Sequence, residues 1–251
     1  MSTSLILALI AVLLLTIAVP LCVMLYLHKR GGTWTDFLAG AVTFILSALI
    51  LEQILHMLVL KSPLGPIIQG NVWLRAVYGG LAAGIFEETG RFVTFRFVLK
   101  NRQSRITALS CGIGHGGTEA FLVAGLMMVS NLVLGLLYAR GAALPAEIVP
   151  SVETLLATPA GNFFWTGFER LSAMTLHVSL SVLVFASLRT SRRWLFPAAI
   201  LLHAVVDFIA AAFSTFLSMA VTEFLILAVA LAGAVWAASI YKKLPKNAEN
   251  T

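Results

Sequence analysis

The chain has 251 residues, 59% hydrophobic and only 11% charged, and its mean hydropathy of +0.95 lies well outside the range of soluble domains. A net charge of +6 raises the question of nucleic acid, but the basic residues sit at the ends of apolar runs and form no stripe interleaved with exposed aromatics, so no nucleic-acid partner is expected. Only Cys22 and Cys111 are present, both inside apolar runs, which gives no basis for a disulfide framework or a thiolate metal site.

The first apolar run, Leu5 to Leu27, has no basic leader and outruns a signal-peptide core, so it reads as a spanning helix. Such a helix needs about 20 mostly apolar residues. Segments 4–28, 34–60, 71–98, 106–138, 163–188, 194–216 and 219–241 meet that length. The expected fold class is all-α, a polytopic bundle of seven spanning helices in one integral membrane domain, 1–245, with a disordered tail, 246–251. Alternate helix ends carry Lys29 and Arg30, then Arg96, Lys100, Arg102 and Arg105, then Arg189, Arg192 and Arg193, then Lys242, Lys243 and Lys246, twelve of the 17 basic residues. By the positive-inside rule this predicts an outside N-terminus and a cytoplasmic C-terminus. The 140–162 connection, with Pro145, Pro150 and Pro159, becomes the long external loop.

Ionisable side chains inside spanning helices cost about 2.5–3.5 kcal/mol each on insertion scales, so each one is a functional candidate. Here they cluster: Glu87, Glu88 and Arg91 on the third helix, His115 and Glu119 on the fourth, Glu169, Arg170 and His177 on the fifth, His203 and Asp207 on the sixth. At about 1.5 Å per residue from the basic helix ends, the acids of the third helix, His115, His177 and His203 all lie roughly 14–17 Å deep, with Glu119 and Asp207 about one turn deeper. A shared depth is what one site between helices requires. It places that site nearer the basic face, with Glu169 and Arg170 in a separate outer layer. His115 with Glu119, and His203 with Asp207, are i, i+4 pairs on common helix faces. Arg91 follows Glu87 by four residues and Glu88 by three, so it pairs one carboxylate and leaves the other available as a general base. Gly112, Gly114, Gly116 and Gly117 around His115 are expected to permit close helix approach and give a polar pocket room, or to break the helix beside a cavity. Arg91, Glu169 and Arg170 read as structural ion pairs. Glu52 and His56, also i, i+4, suit a structural or entrance role, and Trp73, Trp165 and Trp194 read as interfacial anchors.

On EETGR (Glu87 to Arg91), GHGGTEA (Gly114 to Ala120), the Glu169–Arg170 pair with His177, and HAVVD (His203 to Asp207), the chain resembles the YhfC family of intramembrane metalloproteases. That family is distantly related to the CAAX-protease and bacteriocin-processing group and to PrsW proteases. The resemblance runs from about 70 to 210. It implies a bacterial cell-membrane location and a peptide or membrane-protein substrate in the lipid bilayer. In the wider group an EExxxR motif supplies the glutamate that activates water, and histidines on later helices complete the site; here the spacing is EExxR, and Glu119 is an addition closer to the PrsW pattern.

The resulting expectation is peptide hydrolysis with Glu87 or Glu88 as base. His115, His177 and His203 hold the water or oxyanion, directly or through zinc, for which His115, His177, His203 and Glu119 are the candidate ligands. Asp207 is expected to orient a histidine. Two alternatives stand beside this: a metal-free glutamate and histidine site of the CAAX type, and a transporter or proton relay, which uses the same residue types at mid-membrane. Inverted repeats and paired broken helices would favour the transporter, and the sequence has neither clearly.

Overall fold

The computed structural model describes residues 1–246, and the expected tail lies, from 247 on, outside them. Nine helices and no strand form among the described residues. They are α1 (Thr3–His28), α2 (Trp34–Leu60), the short α3 (Gly65–Gly70), α4 (Val72–Val93), α5 (Ile106–Ala139), the short α6 (Val149–Ala157), α7 (Ala160–Arg189), α8 (Leu195–Phe213) and α9 (Met219–Tyr241). Ser2, Thr33, Asn71 and Ser218 cap α1, α2, α4 and α9 by accepting backbone N–H bonds of the first turn. Three π-helical stretches interrupt or extend this pattern: Ile45–Glu52 in α2, Thr94–Val98 after α4, and Ala120–Gly125 in α5.

Seven of the helices are long. Six, α1, α2, α5, α7, α8 and α9, are apolar enough to cross a membrane by length and composition. The seventh, α4, carries Arg75, Glu87, Glu88 and Arg91, which lower its apolarity. The chain is thus a polytopic helical bundle and an integral membrane protein with the lipid bilayer as its solvent. The 140–162 connection is less open than expected: Pro150 starts α6, whose Val152 and Leu155 are buried, Leu155 in a cluster with Leu5, Leu9, Val12 and Met128.

Small residues set the helix approaches. On α2 and α5, a Cβ at Gly40 would collide with the Cys111 carbonyl, and one at Gly114 with that of Phe37. On α4 and α8, a Cβ at Gly80 would stand 2.5 Å from the Ala204 carbonyl oxygen. A main apolar cluster packs the half of the bundle towards the basic loops with Phe95, Cys111, Leu180, Phe185 and Ala199, and extends past the site to Val206 and Ile226. There Arg189 closes the end of the third long segment, donating to the carbonyls of Phe95, Leu99 and Arg102 at 3.1–3.2 Å. Replacing Arg189 by alanine is therefore expected to expose residues 99–105 to faster nicking in limited proteolysis.

Candidate metal centre

The polar groups singled out by depth meet in the middle of α4, α5, α7 and α8. Each contact follows from helix phase. Glu88 and Arg91, one turn apart on α4, form an ion pair that is wholly buried. Glu88 also accepts a 2.8 Å hydrogen bond from Nδ1 of His203. Its neighbour Glu87, rotated by 100° on the helix, reaches α5 and accepts a 2.8 Å bond from Nε2 of His115. One further turn along α5, Glu119 meets Nε2 of His177 and accepts a 2.7 Å bond from Arg170. Arg170 also bonds Glu169.

The ring nitrogens can be assigned from these partners. A guanidinium only donates, so the 3.1 Å contact from Arg91 makes Nδ1 of His177 an acceptor and leaves the proton on Nε2, facing Glu119. On His203 an N–H lies on Nδ1, against Glu88, and Nε2 stands 3.5 Å from Asp207. With one N–H on Glu88, His203 can offer its other nitrogen to a metal, as metal-ligating histidines do, whereas on His177 that nitrogen accepts from Arg91, whose guanidinium an ion would displace. Glu87, His177 and His203 are all buried, and one donor atom from each lies within 4.8 Å of the other two. Ligands at about 2.1 Å from a tetrahedral ion stand roughly 3.4 Å apart, so modest closure brings the three onto one ion. The buried atoms His115 Nδ1 and Glu88 Oε2 have no hydrogen-bond partner among the described residues, as in a network completed by more than protein alone. A cavity of about 90 Å³, room for a few waters, is lined by the three donors with Glu119, Arg170 and Asp207.

All of Glu87, Glu88, Arg91, His115, Glu119, His177, His203 and Asp207 are drawn into this network, but the geometry redistributes their roles. The compact donor group contains Glu87 and lacks His115 and Glu119, which instead bond Glu87 and His177. Glu169 and Arg170 do not form a separate layer: the arginine side chain spans the gap to Glu119 and both residues line the cavity. The four glycines do not line the cavity but permit close helix approach: Gly112 faces Val178 of α7, Gly116 faces Met174 and the His177 side chain, Gly114 faces Phe37, Gly117 faces Pro20, and α5 continues unbroken through all of them. Glu52 and His56 bond each other at 3.1 Å and His56 bonds Tyr78 at 2.9 Å, outside the donor group. The sequence reading passed over Glu223, buried in the second turn of α9; an acid that close to a helix start carried no distinguishing signal.

The sequence profile of the YhfC intramembrane metalloprotease family matches residues 14–230. The chain belongs to the YhfC family. It is 34% identical over 190 residues to the "Uncharacterized membrane protein YhfC" of Bacillus subtilis (strain 168), an alignment covering 72% of this chain and 73% of the relative. No solved structure gives a significant match. The YhfC match spans the whole polar network, from Glu87 to Asp207, and extends well beyond the motifs on which the resemblance was first read.

Proposed function

We propose that the chain is a metal-dependent intramembrane endopeptidase whose ion is held by Glu87, His177 and His203. The observation that carries this reading is that each of the three donors has its own orienting partner: His115 on Glu87, Glu119 on His177, Glu88 on His203. Two imidazoles and a carboxylate with an open position form a ligand set of catalytic zinc, and zinc is the metal proposed. When bound, such an ion supplies Lewis acidity, making water a better nucleophile near neutral pH and polarising the scissile carbonyl.

The chain's own residues then divide the work. Of the four carboxylates on the cavity, Glu119 and Glu169 are engaged by Arg170 and Glu87 is a proposed ligand bonded to His115, which leaves Asp207 as the base. Asp207 takes a proton from the attacking water and returns it to the amide nitrogen as the C–N bond breaks, giving one carboxylate and one amine product. On this proposal the base is Asp207 and not Glu87 or Glu88, because Glu88 is held between Arg91 and His203 and Glu87 serves as a ligand.

One observation favours a second reading. The 2.8 Å bond between His115 and Glu87 also suits a metal-free site in which Glu87 activates water. Two variants separate them, assayed by metal analysis of the pure protein and by hydrolysis of membrane-embedded model peptides. Asp207→Asn is expected to keep its metal and lose about 10²–10⁴-fold in turnover. Glu87→Gln is expected to lose metal and turnover together. Wild-type protein that cleaves peptide without metal, with Glu87→Gln inactive, would establish the metal-free reading instead.

A further inference from the structure

By residue count the centre lies nearer the basic-loop face, yet its cavity runs the other way. On α7 the lining residues extend from His177 back to Glu169, towards the helix start. On α8 they extend from His203 forward to Ala210, towards the helix end. On α5 the lining residue is Glu119, not anything preceding His115, and α9 contributes Ile226, seven residues after its start. Since successive long helices are antiparallel, all four displacements point to one face, the face carrying the amino terminus of α1. The side chains of Asp207 and Glu169 are 38% and 35% exposed, whereas Glu88 and Arg91 are 0%. Glu52, with its bonded His56 and Tyr78, lies in the same half of the bundle.

The opposite direction is closed. One turn from the site towards the basic loops stand Phe95 after Arg91, Cys111 before His115, Leu180 after His177 and Ala199 before His203. All four are 0% exposed and belong to one apolar cluster. Water crosses a packed plug of this kind only if the helices separate.

We infer that water and substrate reach this centre from the face carrying the α1 amino terminus, so that the peptide bond it takes lies in that leaflet or at that surface. The inference rests on the reading of this cluster as the working centre, but not on the reaction assigned to it.

Cysteine labelling tests it. Cys22 and Cys111 are first replaced by Ser and Ala. Ala173→Cys and Ala210→Cys then report the cavity, and Ala108→Cys and Ala199→Cys report the plug. In sealed vesicles whose orientation is fixed by an N-terminal epitope, a cationic, membrane-impermeant methanethiosulfonate is applied to one face at a time. Residues 173 and 210 are expected to label from the amino-terminal face and not from the other, and 108 and 199 from neither. Labelling of 173 or 210 from the basic-loop face, labelling of 108 or 199 from either face, or no labelling at 173 and 210 at all overturns the inference. Because the readout is access, a protein with no peptidase activity still gives an answer.

Discussion

Purified wild-type protein is expected to carry near one equivalent of metal, and His203→Ala protein almost none. His203 offers Nε2 to the cavity while Glu88 fixes its other nitrogen, so truncation removes a donor outright and strands a buried carboxylate. Glu119→Gln should behave differently: His177 keeps its place but loses the anionic acceptor for its N–H, which weakens metal affinity by about 10–100-fold without abolishing binding. Elemental analysis after equilibration at graded free zinc distinguishes the two. Equal metal in wild type and His203→Ala would remove His203 from the ligand set.

The second large effect concerns backbone contact. Gly114→Ala is expected to destabilise the protein by about 1–3 kcal/mol or more, because the added methyl meets the Phe37 carbonyl group and no rotamer can relieve it. Gly40→Ala should cost as much, since its Cβ would strike the backbone between Cys111 and His115. Both force α2 away from α5 and move His115 relative to Glu87. Gly79 is the control: nothing lies within 4 Å of a Cβ there, and Gly79→Ala should leave stability unchanged or slightly raised. Thermal unfolding in detergent compares the three. A Gly114→Ala protein as stable as Gly79→Ala would show that the crossing tolerates a methyl.

The span boundaries were readable because a bilayer demands long apolar runs, and 34–60 and 219–241 match α2 and α9 at both ends. The membership of the polar network was readable for a related reason: charge in lipid has few explanations other than a shared site. Its pairing was not. The i, i+4 rule placed His115 with Glu119 and His203 with Asp207 on common faces, but only the second pair meets, at 3.5 Å; His115 and Glu119 turn to partners on α4 and α7. Those choices depend on how far each helix is rotated, and rotation is set by backbone contacts at Gly40, Gly80 and Gly114 that leave no periodic signal. Reach was underestimated as well. Counting depth at 1.5 Å per residue separates Arg170 from His177 by two turns, yet a guanidinium on three methylenes bridges much of that distance to bond Glu119.

The π-helical stretch Ala120–Gly125 begins at the residue after Glu119. A π turn carries one residue more than the α turn it replaces, so it amounts to an insertion absorbed without breaking the helix. Deleting one residue there would rewind the segment to α geometry and swing Leu126–Ala139 by about 100° against α1, while His115 and Glu119 kept their phase. The bulge thus acts as a rotational joint in α5. It lets the half bearing the metal-centre groups and the half packed on the start of α1 and on α6 obey separate sequence registers.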